Sequence, residues 1–221
     1  MSRELLEVLF FMAAGYLAGS VLFGRLLPKH FKGMDIEAVS EDHNPGTANV
    51  MKYAGIPLGL LCLVLDVGKG YLPVLWAVSV VEPVRLLFAG VMIAPILGHA
   101  YPFWRAGRGG KAIAVSFGVL LGVLRYSKSV WLLAAIYLFF SLVFVIRPNE
   151  RRSVYTFGIF GAVSAAFLFF GGLPGICVGN MLIAGVVVRR NWADARLGQR
   201  AEDRLGQRTE ENWEQERTKD A

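Results

Sequence analysis

Three polar clusters stand out from an otherwise apolar chain, and each carries groups that can do chemistry. The first is Glu41-Asp42-His43-Asn44-Pro45-Gly46-Thr47-Ala48-Asn49. It gathers carboxylates, an imidazole and carboxamides around a Pro-Gly turn, which throws neighbouring polar groups together. Such a set can move a proton or grip a hydroxyl; it can equally be a hydrated loop in which Asn49 caps a helix. The second runs from Gly98-His99 to Gly107-Arg108-Gly109-Gly110-Lys111. Glycines let backbone N–H groups converge on one anion, Arg108 and Lys111 add charge, and a helix starting near Ala112 adds its positive end. Phosphate is the ligand that fits, and a basic loop resting on anionic headgroups is the competing reading. A Walker A loop is excluded, because Lys111 is followed by Ala112 rather than Ser or Thr. The third is Asp66 with Lys69, three apart and therefore on one helical face within an apolar run. Ionisable groups at membrane depth line an interior or pair with each other, so the two read as an internal lock or as part of a substrate site. His99, beside Gly98 at the end of a run, reads as a substrate contact or as a histidine satisfied by backbone. His30 and Asp35 have a spacing that would suit a base and its orienter; that spacing is common, and His30 sits at a membrane exit, so the pair is set aside.

The elements that must position these clusters are apolar helices. Of 221 residues 55% are apolar and 18% charged, with a mean hydropathy of +0.48. This excludes a disordered chain and a single soluble core, because too little polar surface is available to cover one. Apolar runs cover Leu5–Leu27, Ile56–Val81, Val84–Leu97, Ile113–Leu124, Val130–Ile146, Val154–Phe170 and Pro174–Val188. About 20 helical residues cross the hydrocarbon core. The first two runs meet that length, whereas Ile113–Leu124 must borrow flanking residues or be re-entrant. The expectation is an all-α, polytopic membrane helix bundle of about seven transmembrane segments with polar inward-facing loops. The first run continues past Ala18-Gly19-Ser20 to Leu27, beyond the apolar region of a cleavable leader, and reads as a retained span.

Charge sets the sidedness. Residues 189–221 hold eight basic and eight acidic side chains, so the whole net charge of +6 lies in 1–188. An integral membrane domain is therefore assigned to 1–188 and a charged cytoplasmic tail to 189–221. The tail contains an eight-residue echo, beginning at Arg196 and again at Arg204, that suits a solvated surface arm. With the N-terminus outside, the inward loops hold Arg25, Lys29, Lys32 and Lys52, then Arg105, Arg108 and Lys111, then Arg147, Arg151 and Arg152. The outward ones hold Arg3, Arg85, Arg125 and Lys128. The positive-inside bias then puts every polar, Gly-rich stretch and the C-terminus in the cytoplasm. Scattered bases exclude a nucleic-acid stripe. Cys62 and Cys177 lie in apolar stretches and read as packing residues. The three histidines are too dispersed to imply a metal, and no cofactor is called for.

The chain resembles the bacterial glycerol-3-phosphate acyltransferase family of the PlsY type. The resemblance rests on Gly19-Ser20 with Phe23-Gly24, Lys32-Gly33-Met34-Asp35-Ile36, Asn44-Pro45-Gly46 with Asn49-Val50, Asp66-Val67-Gly68-Lys69-Gly70, and Gly98-His99-Ala100-Tyr101-Pro102 through Gly109-Gly110-Lys111. It implies a multi-pass enzyme of the bacterial inner membrane, surrounded by lipid. Such an enzyme moves a fatty acyl group from acyl-phosphate to the 1-hydroxyl of glycerol 3-phosphate, making lysophosphatidic acid for phospholipid biosynthesis. On this reading Asp42, His43, Asn44 and Asn49 form the catalytic group. Lys52, Asp66, Lys69, His99, Arg108, Gly109, Gly110, Lys111 and Arg190 contact substrate. Several positions depart from the family pattern: Asp42 replaces a serine, Ala48 a threonine, Lys52 an arginine, Ala112 a glycine and Val115 a threonine. After the last span Arg190 falls at a histidine and Ala193 at an asparagine, while Glu202 is retained. Asp42 puts a negative charge where dianionic substrates approach, a repulsion of about 4 kcal/mol at about 4 Å near a protein surface. It either orients His43 as a base or selects another acceptor. A paralogue with a different acceptor, and a non-catalytic lipid-precursor-binding or transport protein on the same scaffold, remain as alternatives.

Overall fold

The computed structural model describes residues 3–105, 108–192 and 195. Among these residues the secondary structure is entirely helical. The helices are α1 (Arg3–Ser20), α2 (Phe23–Lys32), the short α3 (Ile36–Val39) and α4 (Thr47–Asn49), α5 (Ile56–Ala77), α6 (Phe88–Ala100), α7 (Ile113–Gly122), α8 (Ser129–Leu138), α9 (Asn149–Phe169) and α10 (174–192). Wide π turns extend α4 over Val50–Ala54 and α8 over Phe139–Val143.

Each of the seven apolar runs falls on helix, yet the helices differ in reach. Arg3–Lys32, Ile56–Ala77 and Asn149–Phe169 are long and apolar enough to cross a bilayer. The ten residues of α7 rise only about 15 Å, half a hydrocarbon core. The first run is interrupted at Val21-Leu22, where α1 stops and the amphipathic α2 begins. The Val21 carbonyl released by the break accepts a hydrogen bond from Lys69 Nζ at 2.5 Å, so a charge inside α5 stabilises a discontinuity in its neighbour.

Small residues bring the long helices together. A Cβ on Gly19 would overlap the Pro95 carbonyl and one on Gly98 the Tyr16 carbonyl, so α1 and α6 touch backbone to backbone at two levels. Gly70 against the Val115 carbonyl and Gly118 against that of Val67 do the same for α5 and α7. Close approach through small residues is how helices gain dispersion energy where lipid removes the hydrophobic drive. The principal core, including Phe88, Met92, Ile96, Val115, Leu120, Phe157, Phe160 and Ile183, is fully enclosed. A smaller cluster of Ile36, Val50, Ala54 and Cys62 fastens the α2–α4 loop to α5. Cys62 and Cys177 are both buried free thiols.

The two ends of the bundle collect different segments. At one end Arg85 pairs with Glu4 at 3.0 Å, the Gly175 N–H donates to the Val84 carbonyl, and the Tyr126 hydroxyl reaches the Val78 carbonyl. The other end gathers the α2–α5 loop, the α6–α7 loop, the start of α9 and the end of α10. The grouping expected from charge is therefore the grouping in space. α10 runs to 192 without a break at the 188 boundary drawn from composition; residues 196–221, including the repeat and Glu202, lie outside the described residues, as does Ala193.

Candidate active site

The loop that precedes α5 is built to hold its polar groups still. Asp35 caps α3 by accepting the Glu37 N–H at 3.1 Å, and Glu37 in turn takes a two-pronged bond from Arg105 at 2.7 and 2.8 Å. That fork ties the α3 loop to the α6–α7 loop, since a carboxylate matches the guanidinium edge. A Cβ on Gly24 would overlap the Pro45 carbonyl, so the Asn44-Pro45-Gly46 turn lies directly on α2. Asp35 is committed to its cap and His30 packs edge-on against Phe31, so the two form no base-and-orienter pair.

On this support Asp42 and Lys111 meet. Lys111 Nζ donates to Asp42 Oδ2 at 2.6 Å and to Glu150 Oε1 at 2.8 Å, which joins both loops to the first turn of α9. Asn49 Nδ2 donates to Asp42 Oδ1 at 2.7 Å and to the Asn44 carbonyl at 2.8 Å. Burial by itself would raise the Asp42 carboxyl; the Lys111 bond and charge, then Asn49, outweigh it and hold the group below the ordinary carboxylate range. Burial likewise acts to lower Lys111, but Asp42 and Glu150 prevail and its ammonium is held above its usual range.

These groups face a cavity of about 380 Å³ that also receives Asn44, Thr47, Asp66, His99, Arg152 and Asn191. Its apolar wall includes Met51, Leu63, Ile113, Phe117 and Tyr137. Behind it, Lys69 Nζ lies 2.7 Å from Asp66, 2.8 Å from His99 Nδ1 and 2.5 Å from the Val21 carbonyl. An ammonium can only donate, so His99 Nδ1 accepts and the ring proton sits on Nε2. Nε2 points at Gly110, where any Cβ would overlap the imidazole.

Several expected site residues lie elsewhere. His43 adopts a positive φ of 48° and turns away from Asp42, with Nδ1 2.8 Å from the Glu37 carbonyl. It faces a second, more open pocket with Arg105, Arg108, Gly109 and Arg190. The structure thus corrects the reading of Asp42 as the orienter of His43. Lys52 pairs with Glu41 at 2.9 Å on the exposed side of the loop, away from the cavity lining. The glycine loop is a strut more than an open nest: the Gly110 N–H donates to the His99 carbonyl at 3.0 Å, and Arg190 holds the Gly109 and Gly110 carbonyls. Gly107 lies outside the described residues. Lys69 is a lock rather than a lining residue, while Asp66 and His99 do face the cavity. Glu150, Arg152 and Asn149 were not anticipated as site residues. Their signal is an Asn-Glu pair opening a helix directly after Arg147-Pro148, where an acid suits the positive helix end.

The arrangement is one in which a phosphate-bearing reactant and an apolar chain can share a pocket. The glycerol-3-phosphate acyltransferase family profile matches residues 9–197. The chain belongs to the glycerol-3-phosphate acyltransferase family. Curated relatives include glycerol-3-phosphate acyltransferases of Myxococcus xanthus, 43% identical over 107 residues, and of Pseudomonas paraeruginosa, 43% identical over 129 residues. The matched segments are 48% and 56% of this chain and 55% and 63% of those relatives, so the chain spans somewhat over half the length of the curated relatives it matches. Two crystal structures of the integral membrane glycerol 3-phosphate acyltransferase PlsY share the fold. The glycerol 3-phosphate form matches with a TM-score of 0.73 at 27% identity, and the lysophosphatidic acid form with 0.70 at 25%; each match covers 86% of this chain and 90% of the other. The family acyltransferase fold is therefore that of a multi-pass membrane protein.

Proposed function

We propose that this family member transfers a fatty acyl group from acyl-phosphate to the 1-hydroxyl of glycerol 3-phosphate, at the cytoplasmic edge of the bacterial inner membrane. The N-terminus is then outside and the C-terminus, with the 189–221 tail, in the cytoplasm. The observation that carries this reading is the Lys111 bridge between Asp42 and Glu150, which closes both loops and α9 around one cavity with a polar floor and an apolar wall.

The acceptor oxygen attacks the acyl carbon, the bond from that carbon to the phosphate oxygen breaks, and inorganic phosphate leaves. The donor is an activated anhydride, so positioning contributes most of the acceleration and the demand on a base is modest. Lys111 and Arg152 are the cavity cations that face phosphate oxygens. His99 Nε2–H is the donor for the oxygen that gains charge in the tetrahedral intermediate, the step in which fixed donors act most strongly, while Asn49, with both amide protons committed, holds Asp42 and the Asn44 carbonyl in place. Asp42, ionised at neutral pH, takes the hydroxyl proton in place of His43 and passes it to the departing phosphate. The apolar wall takes the acyl chain. The transport reading loses its support, because the Lys69 ammonium in the Asp66–Lys69–His99 set is satisfied by protein acceptors. A neutral or cationic acceptor is the second reading, favoured by three carboxylates, Asp42, Asp66 and Glu150, in one cavity.

Purified full-length protein given acyl-phosphate with labelled glycerol 3-phosphate, or with labelled glycerol, decides between them. Lysophosphatidic acid is the expected product. Acylated glycerol alone transfers the assignment to the second reading, and a folded protein that acylates neither acceptor overturns both.

A further inference from the structure

A second cavity, of about 450 Å³, lies at the opposite end of α9 from the active site, between the α7–α8 turn, the start of α8 and the start of α10. Along α9, residue 150 at the active site and residue 167 at this cavity are separated by about 25 Å at 1.5 Å per residue, close to the depth of a hydrocarbon core. The two cavities therefore open toward different leaflets. We propose that this second cavity binds the headgroup of an anionic phospholipid, with Lys128 on the phosphate and the Asn180 carboxamide on a headgroup hydroxyl.

Asn180 is the decisive residue. It is 4% exposed, its Nδ2 donates to Ser129 Oγ at 3.0 Å, and its Oδ1 has no partner among the described residues. Exchanging the two amide atoms leaves one of them unpartnered all the same. A buried amide atom without a partner is costly unless something fills the role, and Asn180 is part of the cavity lining. Ser127 and Ser129, 2.5 Å apart, extend the polar side. Lys128 is exposed at the rim and, among the described residues, is the charged member of the lining, which includes no acid. The sequence explains that bias: Glu150, at the far end of α9, is the only acidic residue between Glu82 and Asp194. The cavity is therefore positive at its mouth, polar on one wall, and apolar at Leu132, Phe167 and Ile176. Beside it Phe169 and Phe170 are 87% and 86% exposed, as rings lying in lipid are. A free anion would leave the apolar wall unmatched, and an acyl chain would leave Asn180 and Lys128 unmatched. A phospholipid headgroup joined to its first methylenes matches both. The site is separate from the acyl-transfer reading and stands or falls without it.

The test is native mass spectrometry of the delipidated full-length protein in neutral detergent, titrated with phosphatidylglycerol. One saturable adduct is expected in the wild type, weakened about tenfold or more in Lys128→Ala and in Asn180→Leu, and retained in Lys111→Ala. Diacylglycerol with the same chains should bind at least tenfold more weakly, and neither inorganic phosphate nor glycerol 3-phosphate should compete. An adduct of unchanged strength in Lys128→Ala, equal binding of diacylglycerol, or displacement by inorganic phosphate would each overturn the proposal. Lys128 is an exposed rim residue, so that variant decides the matter even if Asn180→Leu does not fold.

Discussion

At the scale of single residues the proposed chemistry turns on Asp42. Sequence reasoning could place it beside His43 but not choose which way either side chain turns, because a Pro-Gly loop fixes neighbours in sequence and not in direction. The positive φ of His43 sends its ring to the Glu37 carbonyl, while Asp42 goes to Lys111 and Asn49. Asp42→Ser, which restores the residue type of the family pattern, should lower kcat for the native reaction by about 100-fold, within the range for loss of a positioned base. A rise instead would mark Asp42 as a lesion. The depressed Asp42 pKa also fixes a sign. A group held below its unfolded value near 3.9 stabilises the fold above that value and loses this contribution as pH falls through its lower folded value. Acid melting of the wild type should accordingly steepen below about pH 4, and Asp42→Asn should remove part of that dependence. His43→Ala should leave kcat/KM within about threefold of wild type; a loss of about 100-fold would return the base role to His43.

At the scale of elements, most of the helical framework was legible and the strut loop was not. Hydropathy located every apolar run on a helix, because burial in lipid demands continuous backbone hydrogen bonding. It could not see the break at Val21-Leu22, whose freed carbonyl is satisfied by a lysine 48 residues away. Nor could it foresee that Gly109 and Gly110 give their carbonyls to Arg190, since a run of glycines allows either face of the peptide to turn inward. Ala112 shows the same limit. It holds a left-handed φ of 62° at the entrance to α7, where the family pattern has glycine. That conformation costs a residue with a Cβ about 1–2 kcal/mol, and the buried methyl returns part of it. Ala112→Gly should therefore leave stability within about 1 kcal/mol of wild type, on the favourable side, in thermal unfolding in detergent. Gly110→Ala is the opposite case: its Cβ would displace the His99 ring, and turnover should fall while the helices persist. A fully active Gly110→Ala enzyme would remove His99 from the site.

At the scale of the whole molecule, the two ends are chemically distinct, and the loop charges foretold which segments share an end. They did so because a charged loop resists translocation, so charge records topology rather than contact. The start of α9 was therefore read only as inward-facing, and its Asn149, Glu150 and Arg152 were missed as lining of the cavity. Membrane-impermeant maleimide on intact cells should label Arg125→Cys and spare Lys52→Cys; the reverse pattern would invert the proposed orientation. The bundle brings together groups more than 100 residues apart, from Asp42 to Glu150, through a single lysine. Turnover of acyl-phosphate with glycerol 3-phosphate by the wild type, Asp42→Ser, Lys111→Ala and the double variant reads that convergence directly. The wild type should form lysophosphatidic acid, and the double variant should lose at least tenfold less than the product of the two single losses, a coupling of about 1.4 kcal/mol. Independent, multiplying losses, or a folded wild type that yields no product, would contradict the account.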